Sequence, residues 1–366
     1  MHNDLLLMIV VGAALAFDFT NGFHDTANVV ASSISTRALD PRTAIGLAAV
    51  LNFAGAFISL KVAATIATGI LDSAAITQTI VFAGLAGAIT WNLITWYFGL
   101  PASSSHALIG GVAGAAIAAA GGGAVKAQAM FGKVIVPAVV AASLAFLVAG
   151  VSIVIVYALV GRRRPGTVQK GFRLGQILSG SMLALAHGTN DAQKTMGVIT
   201  LALVAHGDLS AKHPHTPAWV VVSAATAIAL GTYAGGWRII RTLGMKIIKM
   251  DSAQGFSSQA AGAAVILASS HFGYPLSTTQ VISGGIMGAG AAKSFSAVRW
   301  GVARNIVIAW LLTLPMAGLA GAGAYDIAQL FGNGALGPLL MTVVAIAAVA
   351  AFVARRSRIT PQVAGA

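Results

Sequence analysis

The sequence predicts an all-α polytopic membrane protein of two inverted-topology repeats, each with a broken helix and a re-entrant helical hairpin. Three observations predict it. The first is apolar bulk: of 366 residues, 57% are hydrophobic and 8% charged, against about a quarter charged in soluble domains. Charge-free runs cover 73–125, 134–161, 213–237, 252–292, 305–325 and 327–354. Each is close to or beyond the roughly 20 residues that cross a ~30 Å hydrocarbon core. The second is duplication. Asn21-Gly22-Phe23-His24-Asp25-Thr26-Ala27-Asn28 matches His187-Gly188-Thr189-Asn190-Asp191-Ala192-Gln193-Lys194 at an offset of 166. Gly99-Leu100-Pro101-Ala102-Ser103-Ser104-Ser105 matches Gly273-Tyr274-Pro275-Leu276-Ser277-Thr278-Thr279 at an offset of 174. The third is charge placement. Of 22 Lys and Arg, 17 fall in 37–42, 162–173, 238–249, 293–304 and 355–358. Placing these segments in the cytoplasm satisfies the positive-inside bias, with the N-terminus outside and the C-terminus inside an inner (cell) membrane.

With that orientation the elements follow in order. A first span runs inward from about Leu5 to Ile34, broken by the polar cluster at 18–28; being apolar with no basic n-region, it reads as a span and not a signal peptide. A second span returns outward over about 43–70. The next run is interrupted by Gly99-Leu100-Pro101, which predicts a hairpin entering from outside with its tip at Ser103-Ser104-Ser105. A span at 131–160 completes the first repeat (1–160), and a basic linker (161–174) divides the halves. The second repeat (175–324) holds a broken span at 175–205, a span at 217–237, a hairpin at 258–292 with its tip at Ser277-Thr278-Thr279, and a span at 300–324. An extra helix at 336–354 and a basic tail close the chain (325–366). Equivalent elements then point in opposite directions.

The hairpin tips have a specific physical logic. Gly breaks the incoming helix, and Pro fits the start of the outgoing one, where its missing N–H costs nothing. The Ser and Thr hydroxyls that follow can cap the helix or face a ligand. A helix N-terminus carries free N–H donors and about half a positive charge, which favours anions. Two tips meeting near the midplane would present Ser103, Ser104, Ser105, Ser277, Thr278 and Thr279 with two helix N-termini, a receptor shaped for a tetrahedral oxyanion. Asp25 and Asp191 start each repeat, and an intramembrane carboxylate is costly and by default functional. Either could bind a cation, carry a proton or neutralise a fixed positive charge. Neighbouring oxygens on Asn21, Thr26, Asn28, Thr189, Asn190 and Gln193 suit a hard cation. Lys194, at the position of Asn28, serves either a salt bridge or direct anion contact. Asp18 has no counterpart, because Ala184 stands there.

His24, His106 and His187 lie within the motifs, where imidazole titration near neutral pH suits proton handling. His206, His213 and His215 share a predicted external loop with no acidic or Cys partner in view, so no metal site is expected there. The chain contains no Cys and no Glu. That removes disulfides, thiolate metal sites and His-Glu-x-x-His chemistry. A Gly-x-x-x-x-Gly-Lys-Ser/Thr loop and a Gly-x-Ser-x-Gly elbow are both missing from the sequence, which argues against ATP hydrolysis and a serine hydrolase. No catalytic residue and no resident cofactor are expected, and the +13 net charge forms no basic stripe for nucleic acid.

At its signature residues the chain resembles the inorganic phosphate transporter (PiT) family in its bacterial form. The resemblance covers both repeats: Asn21 to Asn28 resembles the first signature, His187 to Lys194 its second-half version, and Pro275 to Thr279 the tip motif. It implies that Asp25, Asn28, Asp191, Asn190 and the six tip hydroxyls form the phosphate and coupling-cation site. Residue chemistry adds Lys194 on the anion side and Asn21, His24 and His106 on the cation side. Members of the family couple phosphate uptake to Na⁺ or H⁺, some carrying metal-phosphate complexes. Two departures pull apart. Gln280 stands where the second tip usually has His, which removes a titratable group, whereas His24 replaces an Asn of the Na⁺-coupled signature and leans toward H⁺. The expected function is secondary active import of inorganic phosphate by cation symport through alternating access. The rivals are another tetrahedral oxyanion such as sulfate, an anion channel and an intramembrane hydrolase. Expected partners are phosphate, the cation, the lipid bilayer and, as an option, further copies of the chain.

Overall fold

The computed structural model describes residues 4–70, 76–210, 214–332 and 334–359, and no strand occurs among them. The first half runs through α1 (Asp4–Ser35), α2 (Pro41–Gly55), α3 (Lys61–Thr68), α4 (Gln78–Phe98), α5 (Ser104–Ala120), α6 (Ala127–Met130) and α7 (Val136–Val160). The second runs through α8 (Pro165–His206), α9 (Ala218–Ala234), α10 (Trp237–Arg241), α11 (Ser252–His271), α12 (Thr278–Lys293), α13 (Trp300–Gln329) and α14 (Leu336–Ile359). α1, α4, the joined α6–α7 helix Ala127–Val160 and α13 are long and apolar enough to cross a membrane, and α9 qualifies with the segment after it as a pair bent by 60°. Val139, Leu147, Val151 and Val154 on α7 face outward, an apolar surface suited to lipid.

The breaks fall one element later than the sequence suggests. α1 and α8 pass unbroken through 18–28 and its counterpart. No Pro removes a ladder N–H there, and the hydroxyls fold back onto the helix: Thr26 Oγ1 donates to Gly22 O at 2.6 Å and Thr189 Oγ1 to Leu185 O at 2.8 Å. The other polar groups reach sideways, so the helical ladder stays complete. The span expected over 43–70 is instead divided into α2 and α3 around 56–60, and that over 217–237 bends at Gly235, whose φ of +73° only glycine adopts freely. Of the expected linker 161–174, residues from Pro165 onward are already helical.

The two hairpins form as α4–α5 and α11–α12. Gly99 (φ +64°) and Gly273 (φ +78°) end the incoming helices in left-handed geometry. The outgoing helices start later than expected: Pro101 and Pro275 lie two residues before the caps, which are Ser103 and Ser277. α5 packs on α13 and its counterpart α12 on α7; α1 packs on α9 and its counterpart α8 on α2. Each pairing crosses between the halves, so neither half closes its own apolar surface. The crossings are tight because glycines line them. A Cβ on Gly114 would lie 2.0 Å from Gly318 O, and one on the matching Gly288 2.0 Å from Phe146 O. Two apolar cores result, one around Val10, Leu85, Leu108 and Ile199 and one around Val30, Leu183, Ile266 and Ile282. The motifs touch both cores through Ala192, in the first, and Ala27 and Leu276, in the second.

Candidate substrate site

The motif helices α1 and α8 and the N-termini of α5 and α12 bring their polar residues into one buried cluster. Asp25 gathers donors from three elements. Its Oδ2 accepts from Ser104 Oγ at 2.6 Å and Thr278 Oγ1 at 3.4 Å, and its Oδ1 accepts from Thr279 Oγ1 at 3.3 Å. His24 Nδ1 lies 2.7 Å from Asp25 Oδ1, and its Nε2 lies 3.1 Å from Thr95 Oγ1. Asp191 Oδ2 lies 3.2 Å from Thr278 Oγ1 and 3.1 Å from His187 Nε2, and Asp191 Oδ1 pairs with Lys194 Nζ. The same ammonium donates to Ser105 Oγ at 2.5 Å and Leu276 O at 2.7 Å. Ser105 Oγ also donates to Leu276 O at 3.0 Å, so the tips of the two hairpins touch.

Asp25, Asp191 and Lys194 are each at most 1% exposed. Removing ions from water is costly, and attraction compensates only when each charge is met by well-placed partners. Here a carboxylate finds hydroxyls, an imidazole and an ammonium within hydrogen-bond distance. Hydrogen bonds to charged groups contribute about 1.5–3 kcal/mol each, so the cluster fixes both tips against both motif helices. Thr278 sits between the two carboxylates and couples the halves through one hydroxyl. Asp25, His187 and Asp191 each offer a ligand atom within 4.8 Å of the others, two carboxylate oxygens and one imidazole nitrogen.

The expected residues divide by what they touch. Ser104, Ser105, Thr278, Thr279, Asp25, Asp191 and Lys194 share this cluster, and Asn28 joins it by donating to Thr279 Oγ1 at 2.9 Å. Ser103 and Ser277 accept instead from the N–H of His106 and Gln280 as helix caps. Asn190 turns toward the second hairpin, donating to Ser270 Oγ at 2.8 Å and Tyr274 O at 3.3 Å. His106 meets Gln280 across the tips, Nδ1 to Nε2 at 3.4 Å, away from both carboxylates. Asn21 has no hydrogen-bonded partner for its Oδ1. His187 belongs beside Asp191, one turn away on the same helix face, and that spacing was its sequence signal. Thr95 and Ser270 reach the site only through tertiary packing, which no local pattern announces. His206 does have acidic neighbours, Asp4 at 3.2 Å and Asp208 at 3.0 Å; His213 lies outside the described residues.

Comparison with known proteins identifies the family. The model of the phosphate transporter family matches residues 21–169 and again 160–321, once per half. A protein of Mycobacterium bovis described as a probable low-affinity inorganic phosphate transporter is 56% identical, over 90% of this chain and 79% of its own length. A Rhizobium meliloti protein of the same description is 46% identical, over 89% and 97%. A solved structure described as the sodium-dependent phosphate transporter superposes with a TM-score of 0.81 at 23% identity, covering 89% of this chain and 99% of its own; at that identity the likeness speaks for the fold. The chain is an integral membrane protein and belongs to the phosphate transporter family.

Proposed function

We propose that the chain imports inorganic phosphate together with a cation, by alternating access between its two halves, with the N-terminus outside and the C-terminus in the cytoplasm. The observation that carries this reading is the convergence of two hairpin tips, with their hydroxyls, on a buried Asp25–Asp191–Lys194 cluster. Two helix N-termini and an ammonium attract an oxyanion, and Ser104, Ser105, Thr278 and Thr279 supply neutral donors. Hydrogen phosphate carries an O–H that a carboxylate can accept, whereas sulfate carries none, so acceptor carboxylates beside the anion favour phosphate. The cation occupies the ligand set of Asp25, His187 and Asp191, where it offsets the carboxylates and the incoming anion together. Both ions are cargo, and the curated relatives' description as phosphate transporters supports the same substrate.

Radiolabelled phosphate uptake into proteoliposomes tests this, with a Na⁺ or a pH gradient imposed separately and excess sulfate as competitor. Accumulation driven by one gradient and resistant to sulfate is expected. Asp25→Asn and Asp191→Asn are expected to lower uptake by about two orders of magnitude, the scale of one or two lost charge-assisted bonds. Accumulation that ignores both gradients, or that sulfate abolishes, would overturn the reading.

A further inference from the structure

Lys194 breaks the match between the two motifs, because Asn28 holds the equivalent position in the first repeat. Asn28 carries no charge and donates to the Thr278 and Thr279 hydroxyls at 3.3 and 2.9 Å. Lys194 Nζ instead lies among three oxygens drawn from three places in the fold. They are Asp191 Oδ1 on α8, Ser105 Oγ at 2.5 Å at the start of α5, and Leu276 O at 2.7 Å just before α12. An ammonium has three donors and no acceptor, so these contacts engage all of it. Ser105 directs its own hydroxyl hydrogen to Leu276 O at 3.0 Å, which turns a lone pair toward Nζ. All three neighbours therefore face the nitrogen as acceptors, one anionic and two neutral.

With every N–H engaged, the ammonium reaches a bound anion only by giving up one of these contacts. Without any rearrangement it holds positive charge against Asp191 where water is excluded, since Lys194 is 1% exposed. A carboxylate, a hydroxyl and an unwound backbone carbonyl around one positive centre are the donor types that hold a hard cation. We propose that Lys194 is a tethered replacement for such a cation. Its ammonium fills a Na⁺-type position between Asp191 and the two hairpin tips, so that no free alkali ion binds there. Asp25 is met differently, by the hydroxyls of Ser104, Thr278 and Thr279 and the imidazole of His24. Of the two carboxylate charges, Lys194 balances one and leaves one for a travelling cation. That division of charge rests on the reading that a cation travels with phosphate.

Lys194→Asn tests this, because it installs the neutral residue of the first repeat and leaves the three oxygens in place. Radioactive Na⁺ bound per chain is counted at equilibrium in detergent for the wild type and the variant. Each thermal midpoint is followed as Na⁺ replaces choline, and phosphate binding is measured in parallel. The variant is expected to bind one Na⁺ more per chain than the wild type. Its midpoint should lie below the wild type's in choline and recover with Na⁺, whereas the wild type's should shift less. Ser105→Ala added to Lys194→Asn removes one oxygen of the set and should weaken the extra ion about tenfold. Equal Na⁺ stoichiometry in the wild type and Lys194→Asn would overturn the proposal. So would a variant that Na⁺ does not stabilise, including one that folds at no Na⁺ concentration, because an ion able to stand in for the ammonium restores the pairing with Asp191. A wild-type chain that binds no phosphate would count against the transport reading instead, and the Na⁺ difference would still decide the role of Lys194.

Discussion

Lys194 shows how much one residue can hold in this fold. Its ammonium contacts Asp191, Ser105 and the Leu276 carbonyl, which belong to α8, the first tip and the second tip. Lys194→Met leaves Asp191 buried without its cation, and breaking one side of such a pair costs about 3–5 kcal/mol. The thermal midpoint of the purified protein in detergent should fall accordingly. Lys194→Met combined with Asp191→Leu removes both charges and should recover most of that loss while phosphate uptake stays absent; a double variant as unstable as the single would show that the pair is not what the site's stability rests on. Asp251 gives a prediction at the edge of the membrane. Its partial burial pushes its carboxyl up, but the Gln254 N–H, Tyr157 hydroxyl and Lys293 ammonium together hold it below the usual range. A depressed folded-state value contributes stability that is present above about pH 4 and is lost as the pH falls through the folded-state value. Asp251→Asn should therefore flatten the acid limb of a stability profile and leave neutral pH little changed in slope. At this scale the sequence pointed to Asp25, Asp191 and the tip hydroxyls because polar residues stand out in an apolar chain. It could not separate Ser103 and Ser277, which cap, from Ser104 and Thr278, which bind the carboxylates, because that depends on where each helix begins.

The elements differ in how visibly their ends were encoded. The hairpin breaks at Gly99 and Gly273 were legible because glycine is followed two residues later by proline, a pair that cannot continue a helix. The division of α2 from α3 was not, because 56–60 contains neither. Nor was the continuity of α1, where a run of Asn, His and Asp looks like a helix breaker until its side chains are seen to reach partners on other helices. Polar residues signal a break only when they compete with their own backbone. Glycine has the converse meaning along α5: it marks packing and not a break. Gly114→Ala would place a methyl 2.0 Å from the Gly318 carbonyl oxygen, against backbone that cannot rotate away. Forced separation of α5 from α13 should cost about 1–3 kcal/mol, read as a lower thermal midpoint. Gly12→Ala in α1 meets nothing within 4 Å and should be neutral or slightly stabilising. Equal losses in the two variants would show that the α5–α13 seam is not sterically limited.

Across the whole molecule the two halves match in architecture but not in chemistry. On the basic side, the end of α1, the start of α8 and α11 meet through polar side chains. Thr36 Oγ1 donates to Gln176 Oε1 at 2.7 Å, Ser179 Oγ to Gln259 Oε1 at 3.3 Å, and Gln259 Nε2 to Ser33 Oγ at 2.9 Å. The repeat offsets map Ser33, Thr36, Gln176, Ser179 and Gln259 onto Ile199, Ala202, Val10, Ala13 and Leu85. Those five belong to, or pack against, one apolar core on the opposite side. The duplication was legible in the sequence, but this asymmetry needed the packing that sets each residue against its partners across the seam. Its consequence follows from hydration. Opening the apolar seam wets Val10, Leu85 and Ile199 at about 1.5–3 kcal/mol apiece, and every 1.4 kcal/mol is about tenfold in population. Opening the polar seam exchanges hydrogen bonds between side chains for hydrogen bonds to water, at small net cost. Under the proposed alternating access, the polar seam is then expected to be the side that opens more readily. The chain has no cysteine, so a single introduced thiol reports on each seam without background. Gln259→Cys in proteoliposomes should react with a membrane-impermeant thiol reagent supplied on the basic side, and Leu85→Cys should react at least about tenfold more slowly with reagent supplied on the other. Equal rates, or faster reaction at position 85, would mean that the polarity of the seam does not govern which side opens.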